Sequence, residues 1–204
     1  EGKVENENFR GVIPGKAGYY LRTGDMGFLQ NDELVVCGRK KDLILVRGKN
    51  HYPQDIERSA EAVNTRADGK YSGGIALRPG CSAAFSMTFR NKEGLALVSE
   101  VSDELFKNGN RTKYLEHVIS KIRSEVAATH GISPSYIALL KPRSIYKTTS
   151  GKISRSKVSS QALENKLENK LYLWEEVEGD STAQSQYSFL DDEMDGSAPC
   201  APNT

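Results

Sequence analysis

The sequence predicts a small α+β protein, and three observations carry that reading. Short β-rich runs at 73–77, 83–89, 95–101 and 136–140 are bounded by polar or glycine-containing segments. One long amphipathic helix is written into 112–129, where Leu115, Val118, Ile119, Ile122 and Val126 form a single apolar stripe. Two further helical segments flank it, one opened by Pro53 and one over 153–167, and no internal repeat is present.

Taken in order, residues 1–18 are rich in glycine and charge, carry Pro14, and read as an irregular lead-in. A short strand is expected at 19–21. A hairpin follows, with strands at 27–29 and 34–37 around the turn Asn31-Asp32-Glu33. Leu43-Ile44-Leu45-Val46, between Asp42 and Gly48, reads as another strand. Pro53 suits the first position of a helix, where its missing N–H costs nothing, and Ile56, Ala60 and Val63 continue it at helical spacing. Gly131 stands where a left-handed C-cap would end the long helix. Residues 147–152 form a polar loop before the last helix. Past Glu175 the chain is acidic and Ser/Gln-rich without periodicity, a composition that cannot bury enough apolar surface to order itself. Disorder is therefore expected there.

Hydrophobic residues at 37% and charged residues at 27% suit a soluble globular chain. No apolar run reaches the roughly 18–20 residues of a membrane span, and no basic-then-apolar leader follows Glu1. Cys37, Cys81 and Cys200 lack metal-ligand spacing and suit a reducing compartment, so a cytoplasmic location and no metal site are expected. The net charge of +1 conceals an asymmetry. Eight acids and no bases follow Lys170, and removing their −8 leaves +9 for residues 1–170. The basic residues are not interleaved with a regular aromatic series, which argues against nucleic acid. A phosphate-bearing small ligand suits the same charge with less surface.

Three motifs carry chemistry. Tyr20-Leu21-Arg22-Thr23-Gly24-Asp25 places a carboxylate in a glycine turn, where it can accept from two neighbouring sugar hydroxyls. Gly38-Arg39-Lys40-Lys41-Asp42 is followed by Gly48, Pro53 and Glu57. Lys147-Thr148-Thr149-Ser150-Gly151-Lys152-Ile153 presents a lysine beside small hydroxyls, chemistry suited to the anionic oxygens of phosphate or carboxylate. It lacks the first glycine and the spacing of a Walker-type loop.

In this order and spacing, the motifs over residues 18–165 resemble the closing segments of the adenylate-forming superfamily. The run Asn50-His51-Tyr52-Pro53-Gln54-Asp55-Ile56-Glu57 looks most like fatty acyl-AMP ligases. The resemblance implies a small mobile lid, a three-stranded sheet with flanking helices plus a hairpin, preceded by the last strands of a larger domain. It divides the chain into 1–38, the end of that larger domain, 39–170, the lid, and 171–204, an acidic tail. Such enzymes activate a fatty acid with ATP and Mg²⁺, both held mainly by the larger domain, and pass the acyl group to a thiol. By that resemblance Asp25 grips the ribose hydroxyls and Arg39 contacts the nucleotide. Lys41 is the hinge, and Gly48 lines the path of the pantetheine arm. Lys152 enters the active site during adenylation and stabilises developing charge.

The chain departs from the family in one loop position: Tyr146 stands before Lys147 where proline is usual, which changes loop stiffness and leaves Lys152 in place. The phosphate loop and acyl tunnel of such enzymes are not found in these residues, so this chain alone should not bind acid or ATP productively. The implied acceptor is the phosphopantetheine thiol of an acyl-carrier protein, with coenzyme A as the alternative. Two other readings stand beside it: part of an acyl-CoA synthetase, or a non-catalytic lid that binds a carrier protein or a separate adenylation partner, for which the +9 body would meet an acidic surface. His51 has no evident carboxylate partner and is read as patterning, His117 and His130 as structural or exposed. Tyr172 and Trp174 are expected to pack the root of the tail onto the lid.

Overall fold

In the central strands, alternate side chains enter two different cores. Leu95 and Leu97 face one side with Ile137 and Leu139, while Ala96 and Val98 face the other with Tyr136, Ala138 and Leu140. Period-two alternation that is apolar on both faces marks strands covered by helices above and below. The protein is seen here as a computed structural model, which describes residues 7–64, 76–89, 91–107 and 111–176.

The hairpin forms first along the chain, β1 (Asp25–Gln30) against β2 (Glu33–Arg39). Asn31 and Asp32 turn it with φ of 51° and 64°. Two left-handed residues make the turn whose twist matches paired strands, and Asn and Asp tolerate that conformation. A 3₁₀ turn, Lys40–Asp42, leads to a second hairpin, β3 (Ile44–Val46) and β4 (Lys49–His51). Helix α1 (Pro53–Glu61) follows, with its proline at the first turn as expected. The main sheet holds β5 (Leu77–Phe89), β6 (Lys92–Val101), β7 (Pro134–Leu140) and β8 (Lys170–Glu175), in that spatial order. β6 and β7 are parallel and the outer pairings antiparallel. Helices α2 (Asp103–Lys107) and α3 (Arg111–His130) make the crossover that a parallel pair requires. α1 and α3 pack Ile56, Ala60, Leu115, Ile119, Ile122 and Val126 on one face, and α4 (Arg155–Leu163) covers the other with Val158 and Ala162.

The mixed α/β architecture with a lid-type sheet agrees with expectation, and four details differ. The sheet adds to the three strands the resemblance implies a fourth that none of the β-rich runs covers, and it falls where the acidic tail is expected to start, at 171. Its residues alternate: Tyr172 and Trp174, each 4% exposed, enter the α1/α3 core, and Leu173 turns to the other face. The strand at 19–21 reduces to a single bridge between Gly11 and Tyr20. The last helix is shorter than 153–167, because Ile153 is bridged to Lys147 and Asn165 adopts φ of 52°. The rest of the acidic stretch, with Cys200, lies outside the described residues, as does most of the expected strand at 73–77.

Candidate functional site

The polar loop is a tight hairpin whose geometry follows from its glycine and hydroxyls. Lys147 and Ile153 pair as a single bridge. Within it, Thr148 N–H donates to the Lys152 carbonyl at 2.7 Å and Gly151 N–H to the Thr148 carbonyl at 2.8 Å. Gly151 holds φ of 78°, the left-handed region that glycine enters without penalty. Thr148 Oγ1 stands 2.9 Å from Ser150 Oγ and also donates to the Lys152 carbonyl at 3.1 Å. Ile153 packs against the core under α4, so Lys152 is exposed at the end of a pinned loop.

Both stems of this loop are tied to β5. Lys147 Nζ donates to Cys81 Sγ at 3.2 Å. Cys81 is 2% exposed, and burial pushes its thiol pKa up while Lys147 opposes that shift. At the other stem, Arg155 grips Glu57 of α1 with two bonds of 2.7 Å, from Nε and Nη2. Glu57 Oε1 also accepts the Ala84 amide of β5 at 2.9 Å. This bidentate carboxylate holds Arg155 above its usual pKa despite burial. Asp42 Oδ2 lies 3.9 Å from Arg155 Nη1, a looser second charge.

An open cleft of about 940 Å³ runs between the first hairpin and this loop. Asp25, Arg39 and Lys152 all line it, along with Gln54, Glu57, Ser150 and Arg155. Arg39 Nε donates to Asp25 Oδ1 at 3.1 Å. Three of the five residues singled out in the sequence thus meet in one place, where carboxylate, guanidinium, ammonium and hydroxyls offer acceptors and donors for hydroxylated, anionic ligands. Lys41 and Gly48 do not line the cleft. Lys41 sits exposed in the 3₁₀ turn joining the hairpin to β3, and Gly48 turns β3 into β4 at φ of 74°. A Cβ on Gly48 would meet nothing within 4 Å, so within this chain the glycine answers a backbone requirement rather than a packing one.

Sequence reasoning passed over Arg155 and gave Glu57 no role. The available signal was their place in the motifs: Glu57 ends the 50–57 run, and Arg155 follows Lys152 by three residues. His51 is set apart from the cleft. Its ring stands edge-on to His130 at 6.3 Å between centroids, and His130 Nε2 lies 2.8 Å from Ser59 Oγ. Buried Nε2 of His51 has no hydrogen-bond partner, and burial, then His130 and Lys49, lower the His51 pKa.

No family model matches the chain. It is 37% identical over 151 residues to the medium-chain-fatty-acid–[acyl-carrier-protein] ligase JamA of Moorena producens (strain JHB), an alignment covering 74% of this chain and 23% of that protein. It is 35% identical over 139 residues to fadD21 of Mycobacterium leprae (strain TN), named provisionally as a fatty-acid–CoA ligase, covering 68% of this chain and 22% of that one. Among solved structures, one from a study of fatty acyl-adenylate ligases from E. coli and L. pneumophila matches with a TM-score of 0.53 at 28% identity, over 71% of this chain and 22% of that chain. The chain spans about a quarter of the length of the curated relatives it matches.

Proposed function

Because this chain belongs to the adenylate-forming acyl ligases, on the fatty-acid-activating side of that superfamily, we propose that residues 39–170 are the mobile lid of a fatty acyl-AMP ligase. Residues 1–38 are then the closing strands of its larger domain. Exposed Phe28, Leu29, Leu34 and Val36 on the first hairpin support that division, since an apolar hairpin left uncovered by the described residues suits a neighbour that covers it.

The observation that carries the reading is the cleft that Asp25, Arg39 and Lys152 line together. ATP supplies the adenylyl group that converts the acid to a reactive mixed anhydride as pyrophosphate leaves. Asp25 would accept from the ribose hydroxyls, and Arg39, already donating to Asp25, would hold that carboxylate and the nucleotide in register. Lys152 would place its ammonium where charge gathers between the acid carboxylate and the α-phosphate, strengthening most in the transition state. Mg²⁺ would accompany the phosphates on the larger domain. Lys41 would take the backbone rotation between half-reactions, and exposed Gly48 would leave the thiol arm a path free of side chain.

The acceptor on this reading is a carrier-protein phosphopantetheine, in keeping with JamA. Coenzyme A is the competing acceptor, because fadD21 carries that name. No helix among the described residues is long and apolar enough to cross a membrane, and the reading places the protein in the cytoplasm.

In the native polypeptide, Lys152→Ala should lower fatty-acid-dependent pyrophosphate exchange by about a hundredfold or more and leave transfer from supplied acyl adenylate to thiol close to wild type. Unchanged exchange would remove Lys152 from the reaction. Rates to carrier protein and to coenzyme A, compared side by side, decide the acceptor.

A further inference from the structure

Lys152 is exposed, so burial does not aim it, yet a catalytic ammonium must be held to within a fraction of an ångström. Its aim has to come from the loop, and the loop is fixed at both stems to one strand. The Lys147 stem reaches β5 at Cys81, and the Arg155 stem reaches it at Ala84 through Glu57. The two attachment points are three residues apart.

The second attachment is the stronger. Arg155 and Glu57 side chains are only 20% and 12% exposed, both guanidinium bonds are 2.7 Å, and Glu57 takes a third bond from a backbone amide. Bidentate geometry fixes direction as well as distance, which a single lysine contact does not. Ser154, the cap of α4, makes no side-chain capping bond; its amide donates to the Tyr146 carbonyl at 3.1 Å, and Arg155 one residue later adds the side-chain anchor.

We propose that the Glu57–Arg155 pair is a positioning clamp that presents Lys152 to the adenylation reaction. The inference deepens the reading of Lys152 given above and rests on it. The clamp touches no reacting atom; it acts through the rigidity of residues 147–155. Loosening it slows adenylation without weakening ATP binding, and leaves transfer to the thiol, which does not use Lys152, largely intact.

Two variants separate the clamp from general stability. Glu57→Gln keeps a carbonyl oxygen for the Ala84 amide and removes the charge that grips Arg155. Arg155→Lys keeps the charge and removes the fork. Hydrogen–deuterium exchange of this chain should show the amides of Thr148, Gly151 and Ser154 exchanging several-fold faster in both variants, with the β6 amides unchanged. In the native polypeptide, kcat for pyrophosphate exchange should fall roughly tenfold to a hundredfold with KM for ATP near wild type. Unchanged loop exchange overturns the clamp, and so does an equal rise in β6, which reports an ordinary stabilising pair. The Lys152→Ala control separates the two levels. If that change leaves adenylation intact, the catalytic reading and the purpose of the clamp both fall, while the exchange data still decide whether the clamp holds the loop.

Discussion

Arg39 Nε donates to Asp25 Oδ1 at 3.1 Å, joining the last residue of β2 to the first residue of β1. The two also face each other in the strand register, so backbone pairing alone brings them together. Their side chains are 67% and 40% exposed. An ion pair in that setting contributes only about 0–1 kcal/mol to stability and is screened by salt. Asp25→Asn and Arg39→Gln should therefore lower the unfolding free energy of the chain, measured by urea titration, by less than ~1 kcal/mol. On the proposed function the same changes should weaken nucleotide binding by roughly tenfold to a hundredfold, the worth of one hydrogen bond to a charged group. Titration with a non-hydrolysable ATP analogue in the native polypeptide measures this. Equal losses of stability and affinity would make the pair a structural feature of the hairpin.

Gly48 separates a folding requirement from a functional one. It holds φ of 74° beside Arg47 at 51°, and a Cβ there has open space. Gly48→Ala should destabilise the chain by about 1–2 kcal/mol through backbone conformation alone. Gly48→Asn should lose less, because asparagine visits the left-handed region more readily. If Gly48 lines the thiol's path, the asparagine variant keeps adenylation and slows transfer to the acceptor. Normal transfer in that variant would confine Gly48 to its turn.

The hairpin, α1 and α3 are legible in the sequence because each is dictated locally: a left-handed Asn-Asp turn, a proline at the first helical position, an apolar stripe at helical spacing. Asp25, Arg39 and Lys152 are legible because their motifs are contiguous. The Glu57–Arg155 pair is not, since its partners are 98 residues apart and only the packing of α1, β5 and α4 brings them together. β8 is hidden for another reason. Its clean alternation covers only Tyr172, Leu173 and Trp174, at the edge of a strongly acidic stretch, and the charge trend outweighs so short a pattern.

His51 gives the fold a specific pH response. Its folded-state pKa is lowered below 6.5 by burial, then by His130 and Lys49. Ser59 and His130 face one another beside it, and His130 stands edge-on to its ring. Between the lowered value and 6.5, the unfolded chain binds more protons at this position than the folded one. Stability from His51 is thus complete above pH 6.5 and is lost as pH falls towards the folded-state value. His51→Phe removes the titration and the buried Nε2 that lacks a partner. The melting temperature of the variant should fall less than that of wild type between pH 7 and pH 5. Parallel curves would show that His51 is not the group responsible.

β8, at the head of the acidic stretch, should prove essential to the fold. Trp174 is 4% exposed on β8, and the Arg123 guanidinium of α3 lies 4.0 Å from its ring centroid. The contact ties the edge strand to the longest helix, so β8 is held by side chains as well as by its ladder with β7. Removing a buried tryptophan costs about 3–5 kcal/mol, against roughly 5–15 kcal/mol for a whole domain. Trp174→Ala should therefore remove a large share of the chain's stability, read as a lower urea midpoint. Arg123→Leu, which keeps apolar cover over the ring but removes the cation, should lose about 0.5–2 kcal/mol. Cutting the chain after Glu176 should leave the midpoint near that of the intact chain, whereas cutting it after Asn169 should abolish the cooperative transition. If both truncations unfold alike, β8 contributes nothing by itself, and the order of the sheet depends on the residues beyond it.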